Sequence, residues 1–194
     1  MDIRIKKLVD LYVHFKVRTF EFDRLFSDEE RIVHLRDSLL PDFFQDLAEL
    51  YWEHMFMTIA KLLDPYQQHK NTNLSLFALE AVLIEQDSPK APELHSRLLH
   101  FRRKFETITY YRKKNLAHFD KDYSTGNREF DTSTHFDEVV DFLDEMIDLI
   151  NFTLHALELP AESGLVMYPA HHAGARQLLE ILEIEAQRRE KEEV

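Results

Sequence analysis

The 194-residue chain contains no cysteine. That removes disulfides, thiolate nucleophiles and cysteine metal sites in one step, and it agrees with a reducing compartment. Glycine is nearly as scarce, with three in all (Gly126, Gly164 and Gly174). Three isolated glycines cannot build a phosphate-cradling P-loop or a dinucleotide fingerprint. With only six prolines beside them, they also argue against a sheet-rich fold with many tight turns. No stretch approaches the roughly 18 uncharged apolar residues of a membrane-spanning helix. The opening Met1-Asp2-Ile3-Arg4-Ile5-Lys6-Lys7 lacks the uncharged apolar run of a secretory signal. A cytoplasmic protein with no membrane partner is expected.

What is present fits a helical protein. A hydrophobic content of 44% against 31% charged residues is that of a globular domain, and fifteen phenylalanines supply much of the core volume. Residues 2–25 carry Ile5, Leu8, Val9, Tyr12 and Phe15 at helical spacing. Ser27-Asp28-Glu29-Glu30 has the form of a capping box for a short helix that stops before Pro41. Residues 42–63 stripe Phe44, Ala48, Tyr51, Trp52, Met55, Phe56, Ile59, Leu62 and Leu63, with Phe43, Leu47 and Leu50 widening the face, so this helix is expected to be central. A polar loop over 64–73 leads to a short helix, 74–86, and a break at Ser88-Pro89 and Pro92. Helices over 93–118 and 135–157 follow, and a last one over about 170–192. The second of these stripes Phe136, Val139, Val140, Leu143, Met146, Ile147, Ile150 and Leu154 inward and carries Asp137, Asp141, Asp144, Glu145 and Asp148 outward. The expectation is one all-α domain over 1–194. A core bundle at about 40–160 is flanked by N-terminal helices within 2–39 and by the C-terminal helix.

Charge is unevenly spread. A net charge of −12 argues against a general nucleic-acid binder, because phosphate is repelled by such a surface. Yet Arg97, Arg102, Arg103, Lys104, Arg112, Lys113, Lys114 and Lys121 face only Glu106 and Asp120 in the same stretch, a local +6 that leaves −18 elsewhere. Two readings stay open: an electrostatic footprint for RNA, or a solvated face whose cations pair with the acidic helices.

The centre of that island is Arg112-Lys113-Lys114-Asn115-Leu116-Ala117-His118-Phe119-Asp120-Lys121. The apolar stripe Leu94, Leu98, Phe101, Phe105, Ile108 reaches Arg112 at its next helical step. An arginine where a leucine belongs needs a partner, because an unpaired buried guanidinium is costly. On a continuous helix Asn115 lies about 60° and His118 about 120° round from Arg112, so the three line one polar notch. The competing explanations are structural. Arg112 can form an ion pair with an acid of the 135–157 helix, and His118 can complement a helix C-terminus.

Other constellations carry less. None of the eleven histidines forms an HExxH or follows an acid by three residues, so paired metal-ligating helices are not indicated. His171-His172 are adjacent and poorly placed to chelate one ion on a helix. Arg128 and His135 have a similar spacing to Arg112 and His118, but straddle a loop and a helix start. Neither a metal nor a cofactor is expected.

The stretch Tyr111-Arg112-Lys113-Lys114-Asn115-Leu116-Ala117-His118-Phe119-Asp120-Lys121 resembles the hallmark of the HEPN superfamily, an arginine followed four to six residues later by histidine on a bundle helix. Leu-Ala-His-x-Asp-Lys is most similar to the abortive-infection AbiU-type branch. Tyr51-Trp52 through Ile59, Leu62-Leu63-Asp64 and Asn73-Leu74-Ser75-Leu76 resemble that branch's aromatic helix and restart, so the resemblance covers about 40–160. One departure is Lys113, where the superfamily often has Asn, Asp or His.

The resemblance implies an HEPN-like bundle and metal-independent RNA cleavage at a site shared across a homodimer, with a toxin or phage-defence role and an antitoxin as possible restraining partner. In that picture His118 is the general acid or base and Arg112 holds the scissile phosphate. Asn115 orients the phosphate or the imidazole, and Asp120 fixes the tautomer of His118. Lys113, Lys114, Lys121, Arg102 and Arg103 bind flanking phosphates. Two alternatives remain: a non-catalytic nucleotide- or RNA-binding module, and a dimerising interaction protein that works through the acidic 137–148 surface.

Overall fold

The computed structural model describes residues 1–68, 70–111, 136–160 and 174–192. Among them run α1 (Ile3–Leu25), α2 (Glu30–Leu39), α3 (Pro41–Leu62), β1 (Gln67–Gln68), β2 (Asn71–Thr72), α4 (Phe77–Glu85), α5 (Ala91–Lys104), α6 (Glu106–Tyr111), α7 (Phe136–Ala156) and α8 (Gly174–Glu192). The fold is an all-α bundle, as the periodicity predicts.

Several boundaries differ from expectation. Ser27 does not cap α2: its Oγ accepts the N–H of Glu29 at 3.1 Å, a local turn that competes with the capping box, and the helix starts at Glu30 without a side-chain cap. Pro41, by contrast, falls in the first turn of α3 as expected, where its missing N–H is harmless. The loop expected over 64–73 contains a minimal antiparallel ribbon, Gln67 opposite Thr72 and Gln68 opposite Asn71. The helix expected over 93–118 is interrupted at Phe105, whose φ of −107° and ψ of 23° end α5 before α6 begins. Two helices end on non-glycine residues with positive φ, Asp87 (51°) and Glu158 (56°). Past each, the next N–H reaches back to a carbonyl of the last turn, Ser88 to Leu83 and Leu159 to Leu154, both at 2.9 Å.

The chain divides into two compact units. The first comprises Met1–Phe15 and Met55–Leu165. In it α4, α5 and α7 pack pairwise. Phe142 is fully buried between Phe101 (ring centroids 4.9 Å apart), Phe105 (5.1 Å) and Phe15 (6.2 Å). The stripe assigned to α7 is therefore turned slightly. Val140 is 37% exposed, whereas Phe142, outside that stripe, is 0% exposed.

The second unit comprises Lys16–His54 and Val166–Val194. Here α2 packs on α8, around Leu25, Leu35, Phe44, Ala175 and Leu182. The first half of α3 is not buried all round, since Phe43 and Leu50 are 48% and 62% exposed. No helix among the described residues is long and apolar enough to cross a membrane.

Candidate functional site: the basic face of α5

The scaffold that leads to Arg112 is set by its buried stripe. Leu94, Leu98, Phe101, Phe105 and Ile108 are all at most 2% exposed. The interruption at Phe105 thus leaves the apolar face intact, because that ring is fixed against Phe101 (5.0 Å) and Phe142. Arg112, Lys113, Lys114, Asn115, His118, Asp120 and Lys121 lie outside the described residues, as do Arg128, His135 and His171-His172.

Arg102 and Arg103 are described, and with Arg97 and Lys104 they give α5 four cations in distinct surroundings. Arg97 pairs with Glu93 at 2.8 Å and sits 4.3 Å from the Phe152 ring centroid. Lys104 reaches Asp141 at 3.3 Å and Glu145 at 2.6 Å on α7, and the Glu145 carboxylate, then Asp141, pushes the ammonium pKa up. For these two cations the solvated-face reading holds. Arg102 instead lies 6.0 Å from the Phe77 ring on α4 and has no carboxylate partner among the described residues. Arg103 is exposed and makes no ion pair among the described residues.

The division follows from helix geometry. At 100° per residue, Arg97 and Lys104 fall on the flank of the buried stripe that faces α7, and Arg102 falls on the opposite flank, towards α4. Arg103 points away from both. In sequence these four form one island. The partners across the groove separate them, and those lie about 40 residues away in sequence for Lys104.

The second sequence block forms a closed loop between α3 and α4. Asn73 donates its side-chain amide to the Pro65 carbonyl (2.9 Å) and its N–H to that of Tyr66 (2.7 Å), while the Leu76 N–H bonds to Leu62 O (2.9 Å). Leu76 and Ser75 are fully buried, and the Ser75 hydroxyl has no hydrogen-bond partner among the described residues. The Asn-Leu-Ser-Leu restart is thus a clip that fixes where α4 begins. No cluster of three or more His, Asp or Glu side chains able to hold a metal ion occurs among the described residues.

Both blocks fall within the span of one family match. The profile of the HEPN AbiU2 family matches residues 5–160. The chain belongs to the AbiU2 family of HEPN proteins. It is thereby an HEPN protein of the abortive-infection type. The match takes in the clip, the α5–α6 scaffold, the arginine–histidine stretch and α7, and it begins within α1. No curated protein matches the chain. No solved structure matches it.

Proposed function

We propose that the protein is a metal-independent endoribonuclease whose principal residues are Arg112 and His118, acting at a site shared by two copies of the chain. The observation that carries this reading is the buried stripe ending at Ile108, four residues before Arg112, within the span matched by the HEPN family. RNA brings its own nucleophile. The 2′-oxygen bonds to phosphorus as its proton leaves to a base, the bond to the 5′-oxygen breaks, and an acid protonates that oxygen. The ends are a 2′,3′-cyclic phosphate and a 5′-hydroxyl. Imidazole titrates in the range that serves either proton transfer. Arg112, always charged and fork-shaped, stabilises the crowded phosphate in the transition state. Asn115 and Asp120 orient these groups, and Lys113, Lys114 and Lys121 hold neighbouring phosphates. A two-fold axis supplies a second histidine, so that acid and base are separate side chains.

An end-labelled mixed RNA pool incubated in EDTA tests this. Wild type should cleave, and identically purified Arg112→Ala and His118→Ala should each lose at least about 100-fold in rate. Mixing wild type with an excess of His118→Ala should lower the rate by more than the loss of wild-type dimer activity through dilution if the site is shared, because a mixed dimer lacks one of the two histidines. Equal cleavage by all three proteins sinks the assignment as contamination. Lys113, in the position where the superfamily often has Asn, Asp or His, favours a second reading, a non-catalytic RNA-binding module. Wild type that retains RNA without cutting it would support that one.

A further inference from the structure

The two flanks of α5 offer a nucleic acid opposite receptions. On the α7 side Lys104 is already held by two carboxylates, and Asp137, Asp141, Asp144 and Asp148 are all exposed along the same helix. A phosphate approaching there meets net negative charge. On the other side the surface is different. Arg102 has an aromatic ring beside it in place of an acid, and the two acids of the neighbouring α4 are engaged, Glu80 by His95 at 3.0 Å and Glu85 by Arg4 at 2.8 Å. Between the flanks lies the outward face. Arg103 stands about 170° from the buried stripe of α5, and Tyr110 about 160° from buried Ile108 on α6. Tyr110 is 42% exposed and lies two residues before Arg112 in sequence.

We propose that Tyr110, Arg103 and the Arg102–Phe77 pair form the path of single-stranded RNA towards the arginine–histidine stretch, and that the acid-locked α7 flank excludes it. This rests on the ribonuclease reading above. The alternation of exposed aromatic, exposed guanidinium and guanidinium-on-ring is the chemistry of single strands: cations follow the phosphates and π-faces take unstacked bases. A duplex hides its base faces and would leave Tyr110 and Phe77 without a role. Complementation of the α5 C-terminal dipole accounts for cations in that last turn, but it does not distinguish Arg102 and Arg103 from Lys104.

The test is fluorescence anisotropy with a labelled RNA of about 12 nucleotides, 2′-fluoro-substituted so that no 2′-OH is available for cleavage. The full chain is used, with circular dichroism confirming that each variant is folded. Arg102→Ala/Arg103→Ala should weaken binding about tenfold or more. It should also flatten the salt dependence by about 1.4, two phosphates at roughly 0.7 each. Tyr110→Ala should weaken it about fivefold or more. Lys104→Ala should change it less than about twofold. Wild type and Arg112→Ala are measured alongside. If wild type binds no RNA, the ribonuclease reading falls and takes the path with it. Suppose instead that wild type binds and Arg112→Ala weakens it, while the Arg102/Arg103 pair and Tyr110 do not matter or Lys104→Ala matters as much. Then the path alone is overturned.

Discussion

Asp87 and Glu158 show what a glycine-poor chain gives up. Each sits just past a helix with φ above 50°, in a region that Asp tolerates and Glu rarely enters. Such a residue costs about 1–2 kcal/mol relative to a right-handed conformation. The turn persists because the following N–H groups satisfy carbonyls that would otherwise be orphaned. Glycine there loses the steric penalty and keeps the hydrogen bonds. Glu158→Gly should therefore raise stability by about 1 kcal/mol in urea unfolding, with its gain limited by the greater freedom of glycine in the unfolded chain. A destabilised variant would mean that the Glu158 side chain contributes more than its backbone costs. The scale of single residues also separates Arg103 from Lys104. One helical step of 100° is the difference between a cation open to solvent and one closed on Asp141 and Glu145.

Among the elements, the last turns of α8 carry a charge cluster that makes a pH prediction. Glu185 accepts hydrogen bonds from Arg188 and Arg189, each at 2.9 Å, and these guanidinium groups hold its pKa down to about 2. A carboxylate depressed in the folded state contributes stability that is present above its unfolded value of about 4.5 and lost as pH falls through about 2. The group is partly exposed and at the surface, so the effect belongs to low salt. Backbone chemical shifts of α8 at low salt should show its C-terminal turns fraying across that window, and Glu185→Gln should remove this part of the pH dependence. The same loss in the glutamine variant would assign the fraying to general acid unfolding. Elements also mark what the sequence made legible. The period of α7 was plain, since Met146, Ile147, Ile150 and Leu154 are all buried, yet Phe142 was missed because only contact with Phe15, Phe101 and Phe105 decides which edge of a wide stripe faces inward. The interruption at Phe105 was invisible because no glycine or proline marks it. Of the candidate site, Arg102 and Arg103 were recognised by charge alone. The distinction between them and Lys104 depends on acids about 40 residues further on, which no local pattern contains.

At the scale of the whole molecule, the two units differ in how much core they own. The first surrounds its helices with fully buried Tyr12, Phe101, Phe142, Met55, Ile59 and Leu79. Among the described residues the second is organised around a cluster of Leu25, Leu35, Phe44, Ala175 and Leu182, with Phe22 also buried, and leaves Phe20, Leu40, Phe43, Leu50, Ile181 and Ile184 exposed. Local opening costs least where few apolar contacts must be broken. Helices α1 and α3 each contribute one end to each unit, which turns this difference into a test within a single helix. Amide exchange read by mass spectrometry should show residues 3–15 of α1 slower than 16–25, and residues 55–62 of α3 slower than 41–54. Uniform protection along both helices would mean that the units open together and that the unequal cores carry no thermodynamic weight. The functional consequence follows from the same inequality. The α5–α6 face belongs to the unit with the larger core, so the residues proposed to guide RNA should share the slower exchange expected of that unit, as precise positioning of a phosphate requires.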